Sequence, residues 1–189
     1  MSSFARDGEL YSLDLSFDEA QILLNLVEQL LELLGEGDFN HHYDESDPFA
    51  QLMSQLNPAP DEIVLPEDPV LLRLLPNAYA DPIAAADFRR YTEPTLRGKK
   101  KSVLQEVRAA LAGIVDGGGS GVVADLDSDV WLLALNDLRL ALSVRLEVGP
   151  DSYDGFDLLS DEDPQKPIYA VYFWMGWLQE NLLNLLLDG

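Results

Sequence analysis

The first 35 residues carry two hydrophobic patterns in succession. From Leu10 to Leu15 apolar and polar residues alternate, "LYSLDL", which is the period of a half-buried strand. Ser16 follows with Glu19 three residues later, the spacing of a capping box that opens many helices. Leucines then recur every three or four residues up to Gly35. The pattern predicts a strand that leads directly into a long amphipathic helix.

An Asp-Pro pair stands at three places where an apolar run begins. Aspartate at the N-cap, followed by proline at the first helical position, is a common helix start, because proline fixes a helical φ and needs no N–H partner there. Helices are therefore predicted after Asp47, Asp68 and Asp81. In the third, Pro94 either interrupts the helix or begins a new one, and the glycine-rich run at 116–121 ends the segment.

A second strand-then-helix segment follows these glycines. Residues 122–126, "VVADL", lead through Asp127 into a helix that contains "LALNDLRLAL". A shift of 111 residues places Leu15 on Leu126, and both a structural repeat and a chance match fit this spacing. Two isolated strands need partners for their backbone groups, so 10–15 is predicted to pair with 122–126.

The last helix, 168–187, is apolar around most of its circumference. Gln179, Glu180 and Asn181 interrupt the apolar run, so core packing is predicted rather than a membrane span, with Trp177 buried. The predicted fold is mainly α, with about six helices around a central C-terminal helix and one small two-stranded β-ribbon. One domain, 1–189, is expected, with acidic loops at 36–46 and 149–166.

Charge limits the function more than any motif does. The chain has 34 Asp and Glu against 12 Lys and Arg, a net charge of −22. Affinity for nucleic acid rests largely on cationic contacts to phosphate, so nucleic-acid binding is disfavoured. The cationic run "RGKKK" at 97–101 is interpreted as a solvated segment, with a small anion-binding patch as the alternative. Cysteine is absent, and the opening residues lack an apolar signal region, so a cytoplasmic location is expected.

No motif indicates catalysis. His41, His42, Asp44 and Glu45 lie together, but adjacent histidines without a third, spaced histidine are interpreted as a solvated loop rather than a metal site. The run "DGGGSG" lacks the Gly-Lys-Ser/Thr ending of a phosphate-binding loop. The sequence therefore predicts no catalytic residue, no metal and no cofactor.

Polar residues set into apolar helices form the candidate site. Arg139 lies beside a core face, and a buried charge without a partner is costly. Glu180 also interrupts an apolar helix and is the leading candidate, so Arg139 is expected to sit in a polar network with Asn136 or Glu180. The stretch "FRRYTE" adds two arginines, for which intramolecular ion pairs are expected. The candidate cluster, either structural or ligand-binding, comprises Arg89, Arg90, Asn136, Asp137, Arg139 and Glu180.

Several stretches of the chain resemble an actinobacterial family, domain of unknown function two thousand and seventeen. They are "LSFDEAQILLNLVEQLLELL", "LPNAYADPIAAADFRRYTE", "LNDLRLALSVRL" and "VYFWMGWLQENLL", and the match extends over nearly the whole chain in the same order. The resemblance implies no established activity, cofactor or catalytic residue. Genes of the family are often near the ClpS adaptor and a metal-dependent peptidase linked to sulfur metabolism, and some members carry a transcription-regulator label.

Three functions remain open from the sequence. The favoured one is a non-catalytic interaction or adaptor protein with an unknown protein partner. The gene neighbourhood adds a link to Clp proteolysis, and a homodimer is a further alternative. The second is a small-molecule-binding or enzymatic domain that uses the Arg/Glu cluster, which a pocket lined by those residues would favour. A transcriptional regulator is least favoured because of the charge.

Overall fold

The described part of the protein is mainly helical, as predicted. The computed structural model describes residues 2–35, 66–149, 156 and 159–187. Three strands form one small sheet: β1 (Ser3–Asp7), β2 (Leu10–Leu15) and β3 (Gly121–Val123). Five helices lie in the described ranges: α1 (Phe17–Gly35), α2 (Pro69–Leu74), α3 (Pro82–Gly117), α4 (Ser128–Arg145) and α5 (Lys166–Leu187).

The sheet contains the predicted pairing and one strand more. β2 and β3 are antiparallel, with Leu13 opposite Val123, which confirms that these two segments pair. β1 adds to the other edge of β2, so the sheet has three strands instead of the expected two. The sequence of β1, "SFARD", lacks the alternation of apolar and polar residues that predicts a strand, and Phe4 is its one buried residue. The sequence does contain a signal for the hairpin turn between β1 and β2, which is the glycine at position 8. Gly8 has a φ of 64° and is the first of the two turn residues.

The predicted helix starts are present in the described ranges. The backbone N–H of Ser16 donates to Glu19 Oε2 at 2.9 Å, and the N–H of Glu19 donates to Ser16 Oγ at 3.3 Å, which completes the capping box. The helix predicted after Asp47 lies outside the described residues. Aspartates cap the next three described helices: Asp68, Asp81 and Asp127.

α3 continues without a break through Pro94 and is 36 residues long. A proline inside a helix removes one hydrogen bond and crowds the carbonyl four residues earlier, at a cost of about 3 kcal/mol. Glu93, directly before the proline, forms ion pairs with Arg89 and Arg97, one turn to either side. These contacts bridge the turn that the proline weakens. The helix ends in the glycine-rich turn, where Gly118 has a left-handed φ of 70°.

The core lies between the long helices, with the sheet at one end. α3 packs along α1 and α4, and α4 also contacts α2 and α5. Because leucine recurs with helical spacing in these elements, each presents one apolar face to the others. Fully buried side chains on α1, α3 and α4 include Leu23, Val27, Leu34, Leu104, Leu111 and Leu135.

α5 contributes one stripe of side chains to this core. Met175, Leu178 and Leu182 are 0% exposed. Trp177 is 38% exposed, so the prediction that it is buried is wrong. A helix that is apolar on most sides does not reveal from sequence which side faces the core. No helix within the described residues has the length and apolar content needed to cross a membrane.

The two strand-then-helix segments meet at the sheet. β2 leads into α1, which has 19 residues, and β3 leads into α4, which has 18. The backbone N–H of Leu126 also donates to the carbonyl of Tyr11, at 3.0 Å. The two starting strands are therefore neighbours, while an internal repeat stays a prediction.

Candidate functional site

Three charged residues lie on the buried face of α3, at four-residue intervals. Arg89, Glu93 and Arg97 are 3%, 6% and 5% exposed; we call them the arginine cluster. Arg97 Nη2 donates to Glu93 Oε1 at 2.7 Å. Arg89 Nε lies 2.8 Å from Glu93 Oε2, an ion pair whose direction departs from that of a linear hydrogen bond. One carboxylate therefore serves two buried cations.

The arginines of the cluster also bind the C-terminal ends of two helices. Arg97 Nη1 donates to the carbonyl of Leu34 in the last turn of α1, at 3.0 Å. Arg89 Nη1 donates at 2.8 Å to the carbonyl of Leu75, the C-cap of α2, and at 2.8 Å to Asn77 Oδ1. Two arginines and one glutamate give the cluster a formal charge of +1. The partial negative charge of helix C-termini offsets it, so the cluster ties α1 and α2 to α3.

A third ion pair, one turn further along α3, joins this helix to α4. Lys100 Nζ donates to the two carboxylate oxygens of Asp137, at 2.7 and 2.9 Å, and Asp137 is buried. The interpretation of "RGKKK" as a solvated segment is therefore wrong for Arg97 and Lys100. The four-residue spacing of Arg89, Glu93 and Arg97 is the sequence signal for a shared helix face.

Arg139 has different surroundings, at the contact between α4 and α5. Its Nη1 donates to Gln179 Oε1 at 2.7 Å, and its guanidinium carbon lies 5.1 Å from the centre of the Tyr172 ring. A Cβ added at Gly176 would lie 3.2 Å from that carbon, so the guanidinium rests on the open backbone of α5. The two expected partners, Asn136 and Glu180, are both exposed, and neutral Gln179 binds Arg139 instead.

The six predicted residues do not come together in one site. Arg89 and Asp137 take part in the buried ion pairs of α3, while Arg139 lies apart at α5. The other three are half-buried or exposed: Arg90, Asn136 and Glu180. The predicted set omits three residues that complete the ion pairs: Glu93, Arg97 and Lys100.

A cleft between α1, α2 and α4 lies away from these residues. It has a volume of about 300 Å³ and is mostly apolar, and none of the six predicted residues lines it. The residues that line the cleft are Leu26, Gln29, Leu30, Glu32, Leu33, Val70, Leu138, Ala141, Leu142 and Arg145.

Within the ranges described by the structure, no three histidine or acidic side chains are grouped so that they could hold a metal ion. His41 and His42, with their acidic neighbours, lie outside those ranges.

Comparison with known proteins identifies the family. Residues 1–186 match the family described as Domain of unknown function (DUF2017). The chain belongs to this family. The DUF2017 chain is 32% identical over 198 residues to proteins named "Oxidative stress regulator AosR" from Mycobacterium bovis and Mycobacterium tuberculosis, covering 97% of its own length and 85% of theirs. No solved structure matches it.

These relatives overturn the function that the sequence favours. Because they are named as regulators, the interpretation of this DUF2017 chain as a non-catalytic adaptor is wrong. The interpretation as a regulator, which the charge made the least favoured of the three, gains support from these names. The charge argument concerned direct contact with the phosphates of nucleic acid. That argument does not apply to a regulator that makes no contact with nucleic acid. The charge was therefore not a sufficient reason to disfavour every kind of regulator.

Proposed function

We infer that this DUF2017 protein is a regulator in the response to oxidative stress. The observation that carries the inference is its similarity to proteins named oxidative stress regulators, over 97% of this chain and 85% of the relatives. The family match, over residues 1–186, likewise extends from the first strand into the last helix rather than over one shared module. It therefore supports a common role for the whole folded unit.

The regulator does not use a thiol of its own in this proposal. Reversible oxidation of a low-pKa cysteine is a common basis of redox sensing, and the 189 residues include no cysteine. A disulfide switch within this chain is therefore ruled out. The oxidant signal must reach it through another group or another molecule.

Direct binding to duplex DNA is not part of the proposed role. The chain has 12 cationic residues against 34 acidic ones, and several of the cations are engaged inside the protein. Arg89, Arg97 and Lys100 form buried or half-buried ion pairs. Three more lie beside carboxylates nearer the surface: Arg108, Arg145 and Lys166. Little positive charge remains to attract phosphate.

Deletion of the gene in its native host tests the regulatory role. The deletion strain and the same strain complemented with the intact gene are exposed to peroxide, and their transcripts are compared before and after. We expect the deletion to change the transcriptional response to peroxide and the complementing gene to restore it. An unchanged response and unchanged survival would contradict the proposal.

The absence of DNA binding has its own test. Fluorescence anisotropy with a random labelled duplex at physiological salt should show no binding by the purified protein. Salt-sensitive binding at micromolar concentration or below would refute this part of the proposal and leave the regulatory role standing. The two experiments therefore fail independently.

A further inference from the structure

Arg139 differs from Arg89, Arg97 and Lys100 of α3 in having no carboxylate beside it among the described residues. Arg89 and Arg97 share a carboxylate, and Lys100 binds another. Arg139 is half-buried, and no ion pair in the described part of the chain includes it. Its guanidinium contacts the amide of Gln179, the ring of Tyr172 and the backbone at Gly176, and all three groups are neutral.

Helix ends do not supply the missing negative charge either. Arg139 lies inside α4, which spans Ser128–Arg145, and its contacts lie inside α5, which spans Lys166–Leu187. Partial charge from the helix dipole is confined to the first and last turns. One turn away on the same side of α4, the neighbours Asn136 and Ser143 are neutral. Within the described residues, neither an ion pair nor a helix end therefore offsets the charge of this guanidinium.

The guanidinium is also held in a fixed plane before any ligand binds. Tyr172, Gly176 and Gln179 are spaced by four and three residues, which places them on one face of α5. A Cβ added at Gly176 would come within 3.2 Å of Cζ and Nη2 of Arg139, so this glycine leaves room for the flat group. Gln179 orients one N–H of the fork. A group fixed in advance loses less freedom on binding.

We propose that Arg139, resting on Gly176 between Gln179 and Tyr172, is a receptor for a small oxyanion, either a carboxylate or a phosphate. Nε of Arg139 is buried, so the two Nη groups at the end of the planar guanidinium are the donors for paired, charge-assisted hydrogen bonds to either group. The −22 charge of the chain repels anions, but salt screens that field beyond about 8 Å at physiological ionic strength. The site does not depend on the proposed regulatory role.

Titration followed by NMR tests the receptor directly. The ¹⁵N-labelled protein in chloride buffer is titrated with acetate in one series and inorganic phosphate in another, with sodium chloride at matched ionic strength as the control. We expect the Arg139 Nε–H signal and the backbone amides of 172–179 to shift and saturate with at least one oxyanion. The series that saturates assigns the ligand class.

Three variants separate a specific site from general charge. Arg139→Gln should weaken binding by about tenfold or more, the equivalent of ~1.4 kcal/mol. Gly176→Ala keeps the charge but displaces the guanidinium, so it should also weaken binding. Arg73→Gln removes an exposed arginine of α2 and should leave binding unchanged.

The same titrations can overturn the proposal. It fails if neither oxyanion gives a saturable shift, or if chloride at equal ionic strength gives the same shift. Binding that survives Arg139→Gln would also overturn it. Should that variant not fold, the wild-type titration and the comparison of Gly176→Ala with Arg73→Gln still decide.

Discussion

The arginine cluster and Arg139 show two ways in which this protein places a cation against its core. The two arginines of the cluster are 3% and 5% exposed, share the carboxylate of Glu93 and bind the ends of α1 and α2. Arg139 is half-buried and contacts neutral Gln179 and Tyr172. Arginine is thus paired with a carboxylate in one region, and in the other it has only neutral contacts among the described residues.

Depth of burial explains the difference. A charge removed from water costs several kcal/mol even in a real protein, and only an opposite charge with good geometry offsets that cost. The cluster is deep, so its compensation must come from within the chain. Arg139 keeps part of its hydration, so a neutral amide and an aromatic ring suffice to hold it. An uncompensated arginine near a surface is therefore the better candidate for ligand binding.

Removal of the shared carboxylate should have the largest effect. Glu93→Gln leaves both buried arginines without their anion and weakens the bridge across Pro94. We expect a loss of about 3–5 kcal/mol in the free energy of unfolding, a large share of the ~5–15 kcal/mol typical of a domain. Urea denaturation measures it, with the exposed Glu106→Gln on the same helix as the control. Equal costs for the two variants would show that the cluster is not a structural tie.

The pair of Lys100 and Asp137 should give an intermediate effect. Asp137→Asn leaves the half-buried ammonium without its carboxylate, at an expected cost of about 1–3 kcal/mol. Lys100→Met in the same background should recover part of the loss, because no charge is then left without a partner. A double-mutant cycle by urea denaturation measures the coupling, and strict additivity would mean that the two residues do not interact.

A surface carboxylate should give the smallest effect. Partial burial raises the pKa of Glu19, but hydrogen bonds from Ser16 and Ser2 outweigh it, and the pKa lies below its ordinary 4.5. The folded state therefore binds this proton less readily than the unfolded state. The resulting stability is present above about pH 4.5 and is lost as the pH falls through the lowered pKa.

Glu19→Gln tests this pH dependence. The variant should lower the free energy of unfolding near neutral pH by less than about 1 kcal/mol, and the difference from the wild type should shrink below pH 4.5. Urea denaturation across that range provides the measurement, with the exposed Glu32→Gln of α1 as the control. A difference that grows on acidification would reverse the assigned sign.

Local chemistry made much of this fold predictable. An N-cap aspartate or serine acts within its own first turn, so the starts of the four capped helices at Ser16, Asp68, Asp81 and Asp127 followed from short motifs. The pairing of β2 with β3 followed from the need to satisfy strand backbones. The ion pair between Arg89 and Glu93 is the kind of intramolecular pair expected for "FRRYTE".

Rotation of helices about their axes accounts for most of what the sequence did not predict. Successive helical residues point about 100° apart, so the choice between Gln179 and Glu180 as the partner of Arg139 depends on an angle that an apolar helix does not encode. The same angle decides the exposure of Trp177. The burial of Lys100 depends on how α4 lies against α3, which no local motif specifies.

The matched pair Arg89→Met and Arg139→Met tests the contrast between the two regions most directly. Both variants are measured by urea denaturation in the same chloride buffer. Arg89→Met removes the ion pair with Glu93 and leaves the carbonyl of Leu75 and the side chain of Asn77 without their donor, while Glu93 keeps Arg97. We predict a loss of about 1–3 kcal/mol. Arg139→Met removes one hydrogen bond to a neutral amide, and we predict a change of about 1 kcal/mol or less. Equal losses, or a larger loss at Arg139, would contradict the account.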